Sequence, residues 1–234
     1  MRVRTIATTA STNDDMAALA RAGAAEGLWL RAETQSGGRG RHGRAWLSPP
    51  GNLYASTLVR LLPGDPQPAT LALVAAVALD ELVSAYVGPA RAMIKWPNDL
   101  LIDGAKLSGI LLERAGEAVV IGFGVNLAHH PQGLDRPVTS LAAVGIEPPG
   151  PELFAEDLAR AFARWLGRWR GEGLAPVRLR WLERAHAVGT PLVANLESAS
   201  VEGLFEGLDE SGALRLRRAD GGVETIHAGD VFLL

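Results

Sequence analysis

The longest apolar run of the chain, residues 71–87 (LALVAAVALDELVSAYV), is the feature that most restricts the possible folds. Thr70, immediately before it, can cap a helix, and a helix that is apolar almost all round is buried. Asp80 and Glu81 interrupt the run, which leaves it too short to span a bilayer comfortably. The sequence therefore predicts a core helix of a soluble protein, with no membrane partner.

Composition narrows the class of protein. A chain of 234 residues with 47% hydrophobic and 21% charged residues predicts one large domain, or one large and one small. The net charge of -3 and pI of about 6.0 give no overall basic field, so any anion site must be local. The lack of cysteine excludes disulfides, thiolate metal sites and cysteine nucleophiles. The amino end has no apolar signal segment, and we expect a cytoplasmic protein.

Up to residue 187 the pattern mixes strands and helices. Predicted strands are residues 3–7, 28–35, 53–61, 91–96, 100–103, 106–113 and 118–127, of which 100–113 forms a hairpin. Predicted helices are one that begins at residues 11–14 and stops near 23–27, then 70–87, 152–170 and 176–187.

From residue 188 the pattern changes to short apolar runs separated by turns, at residues 190–196, 200–208, 213–218, 223–227 and 231–234. Asp220-Gly221-Gly222 is typical of a hairpin turn. These runs predict a small all-β unit, a barrel, appended to an α+β domain. We therefore divide the chain into residues 1–187 and 188–234.

Residues 37–46 (GGRGRHGRAW) fit neither a helix nor a strand period. Glycine is costly to order unless the backbone must swing or approach something closely, and the interleaved arginines indicate an anionic partner. The stretch predicts a mobile loop that orders around a phosphate- or carboxylate-bearing ligand. A solvated surface loop is an equally good interpretation of these ten residues taken alone.

Several familiar motifs are excluded. Gly38-x-Gly40-x-x-Gly43 matches the dinucleotide fingerprint formally, but Trp46, Pro49 and Pro50 stand where the helix should begin. No P-loop is present. The scattered histidines do not have the spacing of a zinc site, and no serine lies in a nucleophile elbow.

The strongest pattern is distributed over five segments that fall at ends of predicted strands, where sites are built. They are Ser11-Thr12-Asn13, Glu33-Thr34-Gln35, Lys95-Trp96-Pro97-Asn98-Asp99, Lys106-Leu107-Ser108-Gly109-Ile110 and Gly122-x-Gly124-Val125-Asn126. Lysine is rarely buried without a partner, so Lys95 beside a Pro-Asn-Asp corner is hard to explain as a purely structural residue.

In this order and at these spacings, the segments resemble the bacterial biotin protein ligases (biotin–acetyl-CoA-carboxylase ligases). GRGRHGRAW and KWPNDL are the most specific matches, and the resemblance covers nearly the whole chain. It implies a class II synthetase-like catalytic domain with a mixed sheet flanked by helices, followed by an SH3-like domain. Some members carry an amino-terminal winged-helix DNA-binding domain; here the ligase domain begins almost at Met1, so we expect no nucleic-acid partner.

The resemblance implies an activity as well. ATP would activate biotin as biotinyl-5'-adenylate with release of pyrophosphate, and biotin would then be transferred to a lysine of a biotin carboxyl carrier protein domain. Mg²⁺ would bridge the phosphates of ATP. A homodimer is a weaker expectation from the same resemblance.

The resemblance also implies site residues. Lys95 and Arg41 would hold the biotin carboxylate and the α-phosphate and are the predicted catalytic residues. The predicted biotin-binding residues are Ser11, Thr12, Asn13, Gln35, Arg39, Gly40, Arg41 and Lys95. The predicted ATP- and adenylate-binding residues are Arg41, Arg44, Trp46, Lys95, Lys106 and Asn126. Asp99 is a candidate metal contact, and no base for the acceptor lysine is identified.

Two positions depart from the family pattern, and two alternatives stay open. Ala10 stands where an acidic residue is common, and Phe123 where the residue is commonly small or aliphatic; either could alter retention of the adenylate. A lipoate-protein ligase would share the fold and the adenylation chemistry. A nucleic-acid-binding module with an Arg/Gly loop is the alternative of a different class.

Overall fold

The structure, a computed structural model, describes residues 2–196 and 199–233. Its strands and helices follow the order β1 (Arg2–Thr9), α1 (Thr12–Arg21), β2 (Leu28–Gln35), β3 (Leu53–Arg60), α2 (Leu71–Val87), β4 (Ala92–Lys95), β5 (Asp99–Ile102), β6 (Ala105–Ala115), β7 (Ala118–Val125), α3 (Pro151–Glu172), α4 (Ala175–Leu182), β8 (Pro191–Asn195), β9 (Ser200–Leu208), β10 (Leu214–Arg217), β11 (Val223–Ile226) and β12 (Asp230–Leu233). The predicted β5–β6 hairpin is confirmed.

The larger sheet has seven strands in the order β1-β2-β3-β7-β6-β5-β4. β1 and β2 are parallel and the other neighbours antiparallel, so the sheet is mixed. Successive side chains of a strand point to opposite faces. On one face Trp29 packs against Phe162 of α3, in the apolar cluster that includes α2, and on the other Leu30 shares a cluster with Met16 of α1. The sheet therefore lies between two helical layers, the α+β arrangement expected.

The apolar helix α2 is buried as its composition predicts. With the turn before it, it spans Pro68–Val87 and is, within the described residues, the one helix long and apolar enough to cross a membrane. However, 67% of its apolar window is buried inside the protein, where it packs against the large sheet, α3 and α4. Its apolar surface is thus used in the core, as in a soluble protein.

The second sheet has five strands in the order β11-β10-β9-β8-β12, all antiparallel, and it confirms the small all-β unit. Leu192 and Phe205 of this sheet belong to the same apolar cluster as Trp181 of α4 and the core of the large sheet. The predicted boundary between residues 187 and 188 lies between α4 and β8. It stays a prediction that the two parts are separate domains.

Helix α4 is shorter than predicted: it ends at Leu182, whereas the sequence predicted an end at residue 187. Two residues beyond this end, the backbone carbonyl of Arg184 accepts a hydrogen bond of 2.7 Å from the backbone N–H of Ile94 in β4. The chain therefore leaves the helix where it can cover the otherwise unpaired edge of the large sheet.

The acidic interruption of α2 has a structural role. Asp80 is fully buried, and its carboxylate accepts a hydrogen bond of 2.9 Å from Nε of Arg184. The same guanidinium donates to the backbone carbonyls of Pro89 (2.6 Å) and Ala92 (3.0 Å). This ion pair ties α2 to the segment that carries β4 and Lys95.

Replacing Asp80 by alanine is expected to destabilise the protein by about 3–5 kcal/mol, since it leaves the largely enclosed guanidinium of Arg184 without its carboxylate. Urea unfolding followed by circular dichroism measures the change. Glu156→Gln is the control, because its ion pair with Arg160 is exposed and is worth about 0–1 kcal/mol. Equal effects of the two substitutions would contradict the assignment of Asp80.

Candidate active site

One cavity brings together the polar segments singled out in the sequence. It contains about 870 Å³ of space between protein atoms, counting the solvent space of its open mouth. It is bounded by the start of α1, the loop of residues 37–46, the β4–β5 turn, β6, β7 and the start of β12. The predicted site residues that line it are Ser11, Thr12, Asn13, Gln35, Arg39, Gly40, Arg41, Arg44, Trp46, Lys95, Asp99 and Lys106.

Neutral polar groups form one end of the cavity. Ser11 caps α1, and both the backbone N–H and the hydroxyl of Thr12 donate to Oε1 of Gln35, at 2.8 and 3.1 Å. The buried hydroxyl of Ser56 lies 2.8 Å from the Thr12 hydroxyl and 2.6 Å from Oδ1 of Asn13. The head of α1 is therefore fixed against β2 and β3.

The glycines of β7 make room for this arrangement. A Cβ on Gly122 would lie 2.2 Å from Oδ1 of Asn13, and one on Gly124 would lie 2.5 Å from the Trp46 ring. Phe123, between them, faces the opposite side and stacks on Trp29 at 5.4 Å between ring centroids. Its aromatic ring thus supports the cavity floor from the core. An effect of Phe123 or Ala10 on adenylate retention stays a prediction.

Cationic groups form the other end. The chain has two lysines, Lys95 and Lys106, and both line the cavity with side chains only 17% and 13% exposed. Nζ of Lys95 lies 3.4 Å from Oδ2 of Asp99, and Nζ of Lys106 contacts Oδ1 of the same carboxylate. Burial lowers the pKa of Lys106, and the negative charge of Asp99 opposes this shift. One carboxylate thus holds two ammonium groups at the cavity wall.

The loop of residues 37–46, which we call the arginine loop, is more regular than expected. An isolated bridge pairs Arg39 with Ala45, and the backbone N–H of Gly40 donates to the carbonyl of Arg44 at 2.7 Å. The loop therefore forms a short hairpin that lies against the cavity. That the loop is mobile and orders around a ligand stays a prediction.

The arginine loop reaches the small sheet. Arg41 donates to the backbone carbonyl of Gly229 at 3.0 Å and to the carboxylate of Asp230 at 3.2 Å. Arg44 contacts the other oxygen of Asp230. These contacts place the first residue of β12 at the cavity and connect the two sheets through it.

Arg39 is held at the other side of the loop. Its guanidinium donates to both oxygens of Asp14 and to Glu113. Hydrogen bonding to Asp14 and Glu113 raises the pKa of Arg39, and the bond from Arg39 lowers the pKa of Asp14.

Three charged or aromatic residues that line the cavity were not predicted from the sequence, namely Arg136, Asp230 and Phe232. The Phe232 ring lies under Lys95, with Nζ 5.0 Å from the ring centroid. Asp230 and Phe232 are more than 130 residues from Lys95 in the chain, and no motif marks them. Arg136 stands alone in an irregular segment, so its only signal was its charge.

One predicted site residue lies outside the cavity lining. Asn126 is buried, and its side-chain amide donates to the backbone carbonyl of Thr139 at 3.0 Å. The segment that follows Arg136 also pairs with β6, since the backbone N–H of Lys106 donates to Pro137 and that of Thr139 donates to Lys106. In this structure Asn126 therefore supports the segment behind Lys106.

The cavity does not have the ligand set of a metal site built by the protein. Within residues 2–196 and 199–233, no group of three or more histidine, aspartate or glutamate side chains could hold a metal ion. Both oxygens of Asp99, the candidate ligand from the sequence, face lysine ammonium groups. As arranged, Asp99 does not fit a metal centre.

Comparison with family models and solved structures agrees with this geometry. Residues 7–126 match the biotin/lipoate A/B protein ligase family, and residues 193–234 match the biotin protein ligase C terminal domain. The fold is similar to that of a biotin protein ligase from Aquifex aeolicus in complex with biotin and ATP. Their TM-score is 0.88 at 22% identity, over 100% of this chain and 98% of that chain.

Curated relatives are similar in sequence over almost the full chain. A biotin–[acetyl-CoA-carboxylase] ligase of Paracoccus denitrificans is 42% identical, covering 97% of this chain and 98% of the relative. One of Mycobacterium tuberculosis is 34% identical, covering 97% of this chain and 86% of the relative. The chain therefore belongs to the biotin protein ligases, within the biotin/lipoate A/B protein ligase family.

Proposed function

We propose that this protein is an ATP-dependent biotin protein ligase that makes biotinyl-5'-adenylate and transfers biotin to a lysine of a biotin carboxyl carrier protein domain. The polarity of the cavity is the observation that carries this proposal. Neutral hydrogen-bonding groups lie beside β2 and β3 (Ser11, Thr12, Gln35), and cations lie across the sheet on β4 and β6 (Lys95, Lys106) and beside β12 (Arg41). This separation suits a ligand with a neutral urea ring and a distant carboxylate.

In the first step, a carboxylate oxygen of biotin attacks the α-phosphorus of ATP. A new phosphorus–oxygen bond forms, the bond to the bridging oxygen of the β-phosphate breaks, and pyrophosphate leaves. Two anions must approach each other, so fixed cations at the meeting point lower the barrier. Lys95 and Arg41 are the proposed cations, and Lys106, Arg44 and Trp46 line the proposed nucleotide side of the same cavity.

In the second step, the neutral amine of the acceptor lysine attacks the carbonyl carbon of the adenylate. The amide bond forms, the bond between the carbonyl carbon and the phosphate oxygen breaks, AMP leaves, and the nitrogen loses a proton. The enzyme forms no covalent intermediate in this scheme, so positioning and charge stabilisation supply the rate. The residues at the neutral polar end would hold the urea ring of biotin while its carbonyl group is transferred from AMP to the acceptor lysine.

Mg²⁺ is proposed to arrive with the phosphates of ATP. Asp99 is engaged by both lysines, and no step above is assigned to a protein-bound metal. We further propose a cytoplasmic location, where ATP and the carrier protein are available, and the homodimer stays an expectation from the family.

The purified protein is expected to label a biotin carboxyl carrier domain when given biotin, ATP and Mg²⁺. Streptavidin blotting and intact mass of the carrier, with a carrier whose acceptor lysine is changed to arginine as control, measure the transfer. Lipoate attached to its own acceptor domain in place of biotin would favour the lipoate-ligase alternative. Tight, salt-sensitive binding of duplex DNA without any transfer would favour the nucleic-acid alternative.

Lys95→Ala is expected to lower the rate of pyrophosphate release by about 100- to 1,000-fold, since it removes a cation from the proposed transition state. The unfolding midpoint should stay the same. Arg91→Ala is the matched control, because Arg91 lies near the other end of β4 and pairs with Asp103 at the surface. Unchanged pyrophosphate release in Lys95→Ala would refute the role of Lys95.

Burial lowers the pKa of Lys106 below the ordinary lysine value of 10.5. The affinity for ATP is therefore expected to fall as the pH rises toward this lowered pKa. The ammonium is charged below its pKa and neutral above it, so the loss lies on the alkaline side. Lys106→Arg should remove this alkaline limb, because a guanidinium stays charged. KM for ATP measured from neutral to alkaline pH tests the assignment, and identical profiles for the two proteins would disprove it.

A further inference from the structure

Arg39 pairs with Asp14 and Glu113, whereas Arg41 of the same loop pairs with Asp230. The different partners suggest a different role for Arg39. We infer that Asp14 and Glu113 are positioning residues that hold Arg39 and thereby close the arginine loop over the neutral polar end of the cavity. We call these three residues the acidic clasp. The part of the inference that concerns biotin rests on the proposed function.

The geometry of the acidic clasp is that of a double carboxylate fork. Nη1 and Nη2 of Arg39 donate to the two oxygens of Asp14 at 2.7 and 2.6 Å, and Nη2 also donates to Oε1 of Glu113 at 2.9 Å. Bidentate pairing fixes direction as well as distance. Because Asp14 lies on α1 and Glu113 on β6, one guanidinium ties the loop to two separate elements.

Glu113 is itself held in place by the side chain of Asn13. Its Oε2 accepts a hydrogen bond of 2.7 Å from the side-chain amide of Asn13, and Oδ1 of Asn13 lies 2.6 Å from the Ser56 hydroxyl. Gly122 allows Asn13 to pack this closely on β7. The acidic clasp is therefore continuous with the groups proposed to surround the biotin ring.

The charge of the acidic clasp argues against Arg39 as a ligand of the biotin carboxylate. Two carboxylates facing one guanidinium leave a net negative charge, which repels a further carboxylate. The cations suited to an anion, Lys95 and Arg41, lie beside β12, where Arg41 contacts Asp230 and Lys95 lies over the Phe232 ring. Biotin would thus bind with its ring under the clasp and its carboxylate pointing away from it.

The acidic clasp is partly exposed to solvent. The side chains of Arg39, Asp14 and Glu113 are 31%, 55% and 35% exposed, so water and salt can compete with the ion pairs. Hydrogen bonding raises the pKa of Arg39 and lowers the pKa of Asp14, so these two groups stay charged at neutral pH. Partial exposure allows the loop to release for substrate entry without breaking a buried pair.

Trypsin cleavage measures closure of the loop without any ligand, since the arginine loop carries cleavage sites at Arg39, Arg41 and Arg44. The test variant is Asp14→Asn with Glu113→Gln, and the control is Asp15→Asn with Glu33→Gln, which makes the same charge change away from Arg39. The test variant is expected to be cut in the loop about 3- to 10-fold faster than wild type, as two partly exposed pairs permit. The control should be cut at the wild-type rate.

High salt should raise the cleavage rate of the wild type toward that of the test variant and leave the test variant nearly unchanged. Asp14→Glu alone keeps both negative charges, so this protein should be cut in the loop more slowly than the test variant. Equal cleavage of the wild type, the test variant and the control would overturn the acidic clasp whatever the activity of the enzyme.

Steady-state kinetics with biotin then distinguish two roles of Arg39: holding the arginine loop closed, or binding the biotin carboxylate directly. In the clasp interpretation, the test variant raises KM for biotin about 3- to 10-fold and releases adenylate into solution faster, while KM for ATP stays near the wild-type value. If Arg39 instead bound the biotin carboxylate, removing the competing carboxylates would leave KM for biotin unchanged or lower it. That result would refute the inference. A wild-type protein without ligase activity would refute the proposed function and leave the trypsin comparison valid.

Discussion

Repulsion between like charges is the constraint on which the rest of this structure depends, because six cationic side chains line one cavity. Five of them contact a carboxylate: Arg39 with Asp14 and Glu113, Arg41 and Arg44 with Asp230, and Lys95 and Lys106 with Asp99. The carboxylates come from α1, β5, β6 and β12. The cations are thus held in place by the protein before an anion arrives, which is what a preorganised electrostatic site requires.

This arrangement makes the small sheet part of the site. Asp230 and Phe232 of β12 contact Arg41 and Lys95 respectively, while Leu192 and Phe205 share the apolar cluster of the large sheet. Contacts with Asp230 of the small sheet hold Arg41 and Arg44 of the arginine loop in place. Ordering such long side chains is otherwise costly in entropy. The buried pair of Asp80 and Arg184 acts similarly on β4, since it holds the strand that presents Lys95.

Much of the fold and most of the cavity lining could be predicted from the sequence, because they depend on local signals. Periodicity predicted the strands, and the Pro-Asn-Asp corner after Lys95 indicated the turn between β4 and β5. The roles of the site residues could be predicted only from the resemblance to the biotin protein ligases.

Contacts that depend on distant pairing were not predictable. The match of Arg39 with Glu113 requires the strand order of the large sheet, and the match of Arg41 with Asp230 requires the docking of the small one. The early end of α4 depends on the edge of β4, which no local pattern in residues 176–187 reports. The resemblance implied that Asn126 binds the nucleotide, yet its side-chain amide donates to the backbone carbonyl of Thr139.

The placement of the two lysines has a consequence for an enzyme of this chemistry. An acyl adenylate modifies any accessible primary amine, and Lys95 and Lys106 are both enclosed in the cavity and paired with Asp99. The 23 basic residues are otherwise all arginines, whose guanidinium groups stay protonated and are not nucleophiles at neutral pH. A molecule of adenylate that escapes therefore meets no lysine on the outer surface of the protein that made it, and the lysine side chains of the ligase are protected from acylation.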